Sequence, residues 1–264
     1  MKESFDALII REAPYGDSDI VLTALAAQYG KITLTVKGAR SPRSKLSTVC
    51  RLFSYVNLEC YEKYGKRWVA SGSINENFFG LSSDMAGFAL ASYIIQLAAE
   101  ITGEGVPCER VLRMTLNTLY AIEKRLKPLP LIKSAYEIFT AEESGVTPDM
   151  TGCADCGGEH SEGGFWLDVM NGRVICARCR AQKNSAAADL PTDEFMTQTI
   201  LVPIDESGMA AWRYVCASEP KRVLSFSVNS PESISMLSRA TEYYVINHLE
   251  KNFDGLEFYN SVKE

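Results

Sequence analysis

Cys153, Cys156, Cys176 and Cys179 stand as C-x2-C, nineteen residues, then C-x2-C. A two-residue gap lets both sulfurs of a pair turn toward one ion. Two such knuckles complete a tetrahedral thiolate shell with no position left for water, so the metal builds structure rather than catalyses. The spacing is that of a zinc site. Between the pairs, Phe165–Val169 and Arg173–Cys176 read as short strands. Asn171-Gly172 between them reads as a tight turn with both residues at positive φ. Gly157, Gly158, Gly163 and Gly164 relax the backbone around the first knuckle. A redox pair or two disulfides is the alternative for the same four residues. Spacing, hairpin and compartment together favour one structural Zn2+ per chain.

The compartment follows from the rest of the composition. Cys50, Cys60, Cys108 and Cys216 are scattered without framework spacing and read as buried free thiols. No signal peptide is apparent after Met-Lys-Glu-Ser, and the apolar stretch Phe88–Ile101 is too short to span a bilayer. These point to a reducing, cytoplasmic setting. Of the 264 residues, 46% are apolar, which suits a folded chain with a sizeable core.

Net charge is −6, an unpromising total for a nucleic-acid binder, but its distribution is uneven. Residues 1–80 carry 11 Lys/Arg against 8 Asp/Glu, and the remainder 16 against 25. Asymmetry of this kind suggests separate domains with separate partners.

The two parts also differ in period. Ala7–Arg11, Ile20–Ala26, Lys31–Val36, Tyr55–Glu62 and Arg67–Ile74 read as strands separated by Gly-containing turns. Five short strands in about eighty residues fit a small closed barrel such as the oligonucleotide-binding (OB) fold. From Ser82 the pattern turns helical, with Ser82, Ser83 or Asp84 as cap and Phe88, Ala91, Ile95, Ala98 and Ile101 on one stripe. A second helix runs to about Leu126, and a third is closed by Gly145. Asn184–Ala188 reads as a connector, and two or three more helices follow, the clearest from Pro231 to about Lys251. The expected fold is therefore α+β. An OB domain spans residues 1–80, and a helical domain spans 81–264 with a zinc module inserted at about 147–182.

Between the third and fourth strands, residues 37–45 hold Lys37, Arg40, Arg43 and Lys45 and no acid, with Arg51 further on. Gly and Pro keep this stretch irregular, so the cations can spread along a phosphate backbone. Lys63, Lys66 and Arg67 add charge beside Tyr64 and Trp68, where aromatic faces could stack on unpaired bases. Taken singly, Tyr61, Tyr64 and Trp68 read as packed rather than stacking residues. Catalysis finds no support. There is no Walker-type loop, and His160 and His248 form no constellation with Asp17 or Asp19, which sit in a turn. His160 could only be a spare ligand to a full thiolate shell, and His248 suits the C-terminal end of the last helix.

The order of short motifs carries a family resemblance. Tyr15-Gly16-Asp17-Ser18-Asp19 follows the first strand, and Tyr29-Gly30-Lys31 precedes the third. Lys37-Gly38-Ala39-Arg40 comes next with Ser44-Lys45, and Gly145-Val146-Thr147-Pro148 leads into Cys153-Ala154-Asp155-Cys156-Gly157. In this the chain resembles the RecO family of bacterial DNA repair proteins. The resemblance implies an OB domain, a helical domain, and a recombination mediator with no catalytic centre. Such a mediator binds single- and double-stranded DNA and anneals complementary strands. With RecR, and often RecF, it helps RecA load on strands coated by single-stranded-DNA-binding protein (SSB). It also implies that the family's basic loop falls on Lys37, Arg40, Arg43 and Lys45, and its zinc ligands on the four cysteines, which some members lack. Asp17 stands where a glutamate is common. A protein-interaction adaptor whose main ligand is another protein is the alternative that the acidic helical half allows. A metallohydrolase is the weaker third, because the cysteine shell is closed.

Overall fold

The computed structural model describes residues 2–41, 44–187 and 199–263. It divides into two compact units, residues 1–126 with 253–264, and residues 127–252. Compactness therefore cuts the chain elsewhere than the change of period near residue 80.

The first unit is built on five strands: β1 (Lys2–Tyr15), β2 (Asp19–Ala26), β3 (Gly30–Val36), β4 (Ser54–Lys63) and β5 (Lys66–Asn77). They close into a barrel in the order β1-β2-β3-β5-β4, with β4 returning to β1. A four-residue helix, α1 (Leu46–Val49), interrupts the run between β3 and β4. The strands are those expected, each longer at one or both ends. Period-2 alternation explains the core. Leu22 and Ala24 of β2, Ile32 and Leu34 of β3, and Val56, Leu58 and Cys60 of β4 all point inward and are buried. Closure is weakest between β3 and β5, which pair in parallel only at Leu34–Arg67 and Thr35–Trp68.

Helices α2 (Met85–Ile101) and α3 (Glu109–Glu123) belong to the same unit. Of the three expected caps, Asp84 is the one used, its carboxylate accepting from the Gly87 N–H at 2.8 Å. The second helix stops at Glu123, short of Leu126. Arg125 adopts φ 51° and its guanidinium pairs with Asp84, leaving Leu126 exposed rather than on the apolar stripe.

Gly30 shows how tightly the β2–β3 turn is held. Its φ is +69°, and a Cβ there would lie 2.3 Å from the carbonyl oxygens of both Gly103 and Val106. Lys31 N–H donates to the Gly103 carbonyl, and Gly105 N–H to that of Tyr29. Gly30→Ala should therefore lose more than the ~1–3 kcal/mol of left-handed backbone strain alone. Urea unfolding reads this directly, and a loss under ~0.5 kcal/mol would show that the turn relaxes freely.

The second unit holds α4 (Leu129–Glu143), β6 (Asp149–Cys153), β7 (Phe165–Asp168), β8 (Arg173–Cys176), α5 (Ala177–Ala187), β9 (Leu201–Ile204), α6 (Glu206–Cys216) and α7 (Pro231–Leu249). Helix α4 is buried on every side from Leu131 to Ala141, which marks it as the central helix of this unit. Its polar residues are accordingly paired. Lys133 Nζ lies 3.0 Å from Glu137 Oε2 and 2.9 Å from Glu242 Oε2, and it donates to the Ser238 carbonyl. Thr241 Oγ1 donates to Glu137 at 2.6 Å. Burial pushes the Glu137 carboxyl above its usual range, with Lys133 pulling it back.

The expected hairpin is part of a four-stranded sheet, β6-β8-β7-β9, with β6 and β8 parallel. Its turn differs from the expected one. Four residues, 169–172, connect Asp168 to Arg173, and of these Gly172 alone has positive φ, at 60°. Asn171 instead donates from its side chain to the buried Asp168 carboxylate at 2.8 Å. His248 Nε2 lies 2.8 Å from the Val169 carbonyl oxygen, and Tyr244 Oη donates to that of Val146. Two further expectations are corrected. Residues 184–187 continue α5 rather than forming a connector, while Ala188 lies outside the described residues. His248 is not on the last helix, because α8 (Asp254–Val262) follows and packs on α2 in the first unit. Gly255 makes that packing close: a Cβ would lie 2.6 Å from the Tyr93 amide nitrogen.

Candidate nucleic-acid interface and metal centre

The barrel's cations are placed by its loops. Residues 37–41 are drawn against the β1–β2 turn. Asp19 Oδ1 accepts from the Gly38 N–H at 2.8 Å, the Ser18 carbonyl accepts from the Arg40 N–H at 2.9 Å, and Arg40 Nη1 reaches the Gly16 carbonyl at 3.4 Å. Asp19 is thus an anchor between loops, a role that turn propensity did not indicate. The backbone is pinned while the side chains of Lys37, Arg40 and Lys45 remain exposed. Arg43 lies outside the described residues.

Lys37 Nζ lies 5.1 Å from the Trp68 ring centroid, which brings the basic loop to β5. Trp68 is half-buried and its Nε1–H has no partner among the described residues. Beside it an open groove of about 630 Å³ runs over β2, β3 and β5, lined by Tyr15, Thr33 and Trp68, by the cations Lys31, Lys66 and Arg67, and by two acids, Glu62 and Glu104. In a barrel of this order, that face lies between the β1–β2 and β4–β5 loops, where OB folds receive oligonucleotides. Lys63, Lys66 and Arg51 are exposed. Arg67 is engaged within the protein: its Nε lies 3.1 Å from Glu3 Oε1, and its guanidinium stacks 4.7 Å over Tyr29.

The four cysteines converge from four positions. Cys153 ends β6, Cys156 sits in the turn after it, Cys176 ends β8, and Cys179 lies in the first turn of α5. Parallel pairing of β6 with β8 brings the two knuckles together. All four sulfurs lie within 4.8 Å of one another, the only such group of metal-capable side chains among the described residues. Cys156 Sγ and Cys176 Sγ are 3.8 Å apart. A tetrahedral shell with Zn–S bonds of about 2.3 Å has an edge of about 3.8 Å. Backbone N–H groups point at the sulfurs as they do at thiolates: Cys176 N–H at Cys153 Sγ, 3.3 Å, and Cys179 N–H at Cys176 Sγ, 3.5 Å. Burial pushes the Cys153 thiol up, but the amides of Cys176, Asp155 and Cys156 outweigh it and bring it down to about 6. The Cys176 sulfur hydrogen-bonded to Cys179, with burial, instead holds that thiol up at about 12, so the fit to a metal stands on the sulfur geometry. The donor set therefore fits a thiophilic divalent ion. His160 stays out of it, exposed and 3.1 Å from Glu206 Oε2.

Residues 1–78 match the family described as Recombination protein O N terminal, and residues 82–257 match Recombination protein O C terminal. The chain belongs to the RecO family. DNA repair protein RecO of Alkaliphilus metalliredigens is 25% identical over 258 residues, covering 97% of this chain and 98% of that protein. The protein of the same name from Acetivibrio thermocellus is 24% identical, covering 97% and 95%. That of Desulfitobacterium hafniense is 29% identical over 182 residues, or 69% and 66%.

Within this RecO-family chain, the described cations of the barrel have different settings. Lys37 and Lys66 meet through Trp68 and the groove, Lys63 stands on the β4–β5 hairpin tip, and Arg67 belongs to an internal pair. Sequence reasoning missed the contributions of Tyr15 and Lys31 to the groove. It also took Tyr64 for a packed residue, whereas Tyr64 is 90% exposed. The signal was available: Tyr64-Gly65 is the centre of a two-residue turn, whose side chains project away from a barrel core.

Proposed function

We propose that the chain is a non-catalytic recombination mediator of DNA repair, acting in the cytoplasm. It binds single- and double-stranded DNA, anneals complementary strands and, with RecR and RecF, helps RecA load on SSB-coated DNA. The observation that carries this reading is the pinned stretch 37–41 of the basic loop, held by Asp19 and Ser18, with Lys37 reaching Trp68 at the edge of the groove. A loop whose backbone is already fixed loses little conformational freedom when its cations meet phosphates. Family membership supports the wider role.

In this reading Lys37, Arg40, Arg43 and Lys45 contact phosphate, with Arg51, Lys63 and Lys66 extending the track and Arg67 chiefly holding β5 to β1. Cys153, Cys156, Cys176 and Cys179 hold Zn2+, which supplies cross-linking of two knuckles and no chemistry on DNA.

The test replaces Lys37, Arg40, Arg43 and Lys45 together by alanine and follows oligonucleotide affinity through a salt series. Every cation that no longer meets a phosphate should flatten the log–log salt slope by ~0.7 on a single strand and ~0.9 on a duplex. Unchanged affinity and slope would place the interface elsewhere. Annealing of SSB-coated strands with and without RecR tests the mediator role.

A further inference from the structure

The β4–β5 hairpin is closed by two residues, Tyr64 at φ 54° and Gly65 at φ 68°. Positive φ at both central positions defines the turn that matches the strand twist, and it strongly favours Asn, Asp or Gly at the first of them. Tyrosine there is conformationally strained. Strained side chains are usually offset by packing, but Tyr64 is 90% exposed and so is not offset in this way. A large ring is thus held out in solvent, at a position where a smaller residue would make a more stable turn.

Its surroundings say what the ring would meet. Residues 63–67 read Lys-Tyr-Gly-Lys-Arg, with no acid among them. Lys63 Nζ lies 5.2 Å from the Tyr64 ring centroid. Gly65 in the turn and Lys66 beside it line the groove that also takes in Tyr15 and Trp68, where Lys31, Lys66 and Arg67 face two acids, Glu62 and Glu104. A polyanion following that groove passes the hairpin tip. A ring flanked by ammonium groups then finds phosphate for the cations and the flat face of a base for itself. In a duplex the base faces are already covered by their neighbours. In a single strand they are open.

We propose that Tyr64 is a base-stacking residue that selects unpaired over paired nucleotides at the edge of the barrel groove. The inference rests on the nucleic-acid reading given above and deepens it. Lys63 and Lys66 supply attraction to any phosphate backbone, whereas the ring responds to whether bases are open. A strand held with a base on Tyr64 is kept unstacked from its own neighbours, the state in which a complement can pair with it.

The decisive variants are Tyr64→Asn and Tyr64→Phe in the full chain. Asn suits the turn better than Tyr, so Y64N should melt at or above the wild-type temperature, and lost binding cannot be put down to misfolding. Binding is read by fluorescence anisotropy on a labelled dT oligomer and on a blunt duplex, each across a salt series. Stacking of this kind changes affinity about 5- to 150-fold per base. Y64N should weaken the oligomer within that range at unchanged salt slope and leave the duplex within about twofold, with Y64F retaining the wild-type value. Equal loss on both substrates, a flattened salt slope, or an unaltered oligomer affinity would each overturn the role of Tyr64 while leaving the nucleic-acid reading standing. A wild-type chain that binds neither substrate would overturn both.

Discussion

Protein purified under reducing conditions should carry one zinc ion per chain, and stripping it should melt the β6-β8-β7-β9 sheet of the second unit. Apparent binding free energies at four-ligand structural sites run to about 10–16 kcal/mol at neutral pH. That is comparable with the whole stability of a domain, about 5–15 kcal/mol. The local structure offers little to replace it. Between Cys153 and Phe165 no regular element forms, and the first knuckle is held by short bonds such as Cys153 N–H to the Gly158 carbonyl. Chelation, or Cys176→Ser, should raise amide exchange by orders of magnitude across 149–179 while the barrel amides stay protected. Metal analysis and site-resolved hydrogen exchange check the two halves of the claim. A metal-free protein with those amides still protected would show that the sulfurs converge through packing alone.

The second large effect belongs to Lys133. Replacing it by Met keeps the stem volume of a fully buried side chain but removes the cation facing Glu137 and Glu242. Breaking a buried pair by removing one partner costs about 3–5 kcal/mol, because the remaining charge is left in a poor solvent. Urea unfolding of Lys133→Met should show a loss of that size. Its pH dependence follows from Glu137, whose carboxyl burial already raises. Without Lys133 the folded-state value rises further above the unfolded one of about 4.3. A group shifted in that direction contributes stability below its unfolded value and loses it as pH rises. The deficit against wild type should therefore be widest near neutrality and narrow in acid. Adding Glu137→Leu should recover part of it. A uniform loss under ~1 kcal/mol at every pH would mean that water reaches the site.

The parts legible in sequence were those written locally. Val56, Leu58 and Cys60 alternate within one strand, and the cysteines repeat at a spacing set by a single ion, so both could be read without knowing the rest of the chain. Asp84 was readable as one of three caps because capping acts over three residues. What escaped depends on distant partners. Arg67 counts as a free cation until Glu3, sixty-four residues away, is found beside it. Asp19 reads as a turn residue until the Gly38 N–H arrives from the next loop but one. The β6 segment, Asp149–Cys153, has one large apolar residue in five, and it becomes a strand only because β8 offers it an edge. The α8 helix begins at Asp254, after an N-cap position, Phe253, that makes no side-chain cap, and is short, so its existence depends on the surface of α2.

That last helix has a consequence for how the chain folds as it is made. The second unit is contiguous, residues 127–252, whereas the first is assembled from two stretches on either side of it. On a ribosome, everything α4 to α7 needs has emerged while Phe253, Leu256 and Tyr259, all buried in the first unit, are still to come. The barrel can close early, since its five strands lie within residues 2–77. The α2 surface that receives Gly255 stays uncovered until the whole second unit has been made. The order of completion is then barrel, second unit, and finally the seal of the first unit by a segment that follows the second in the chain.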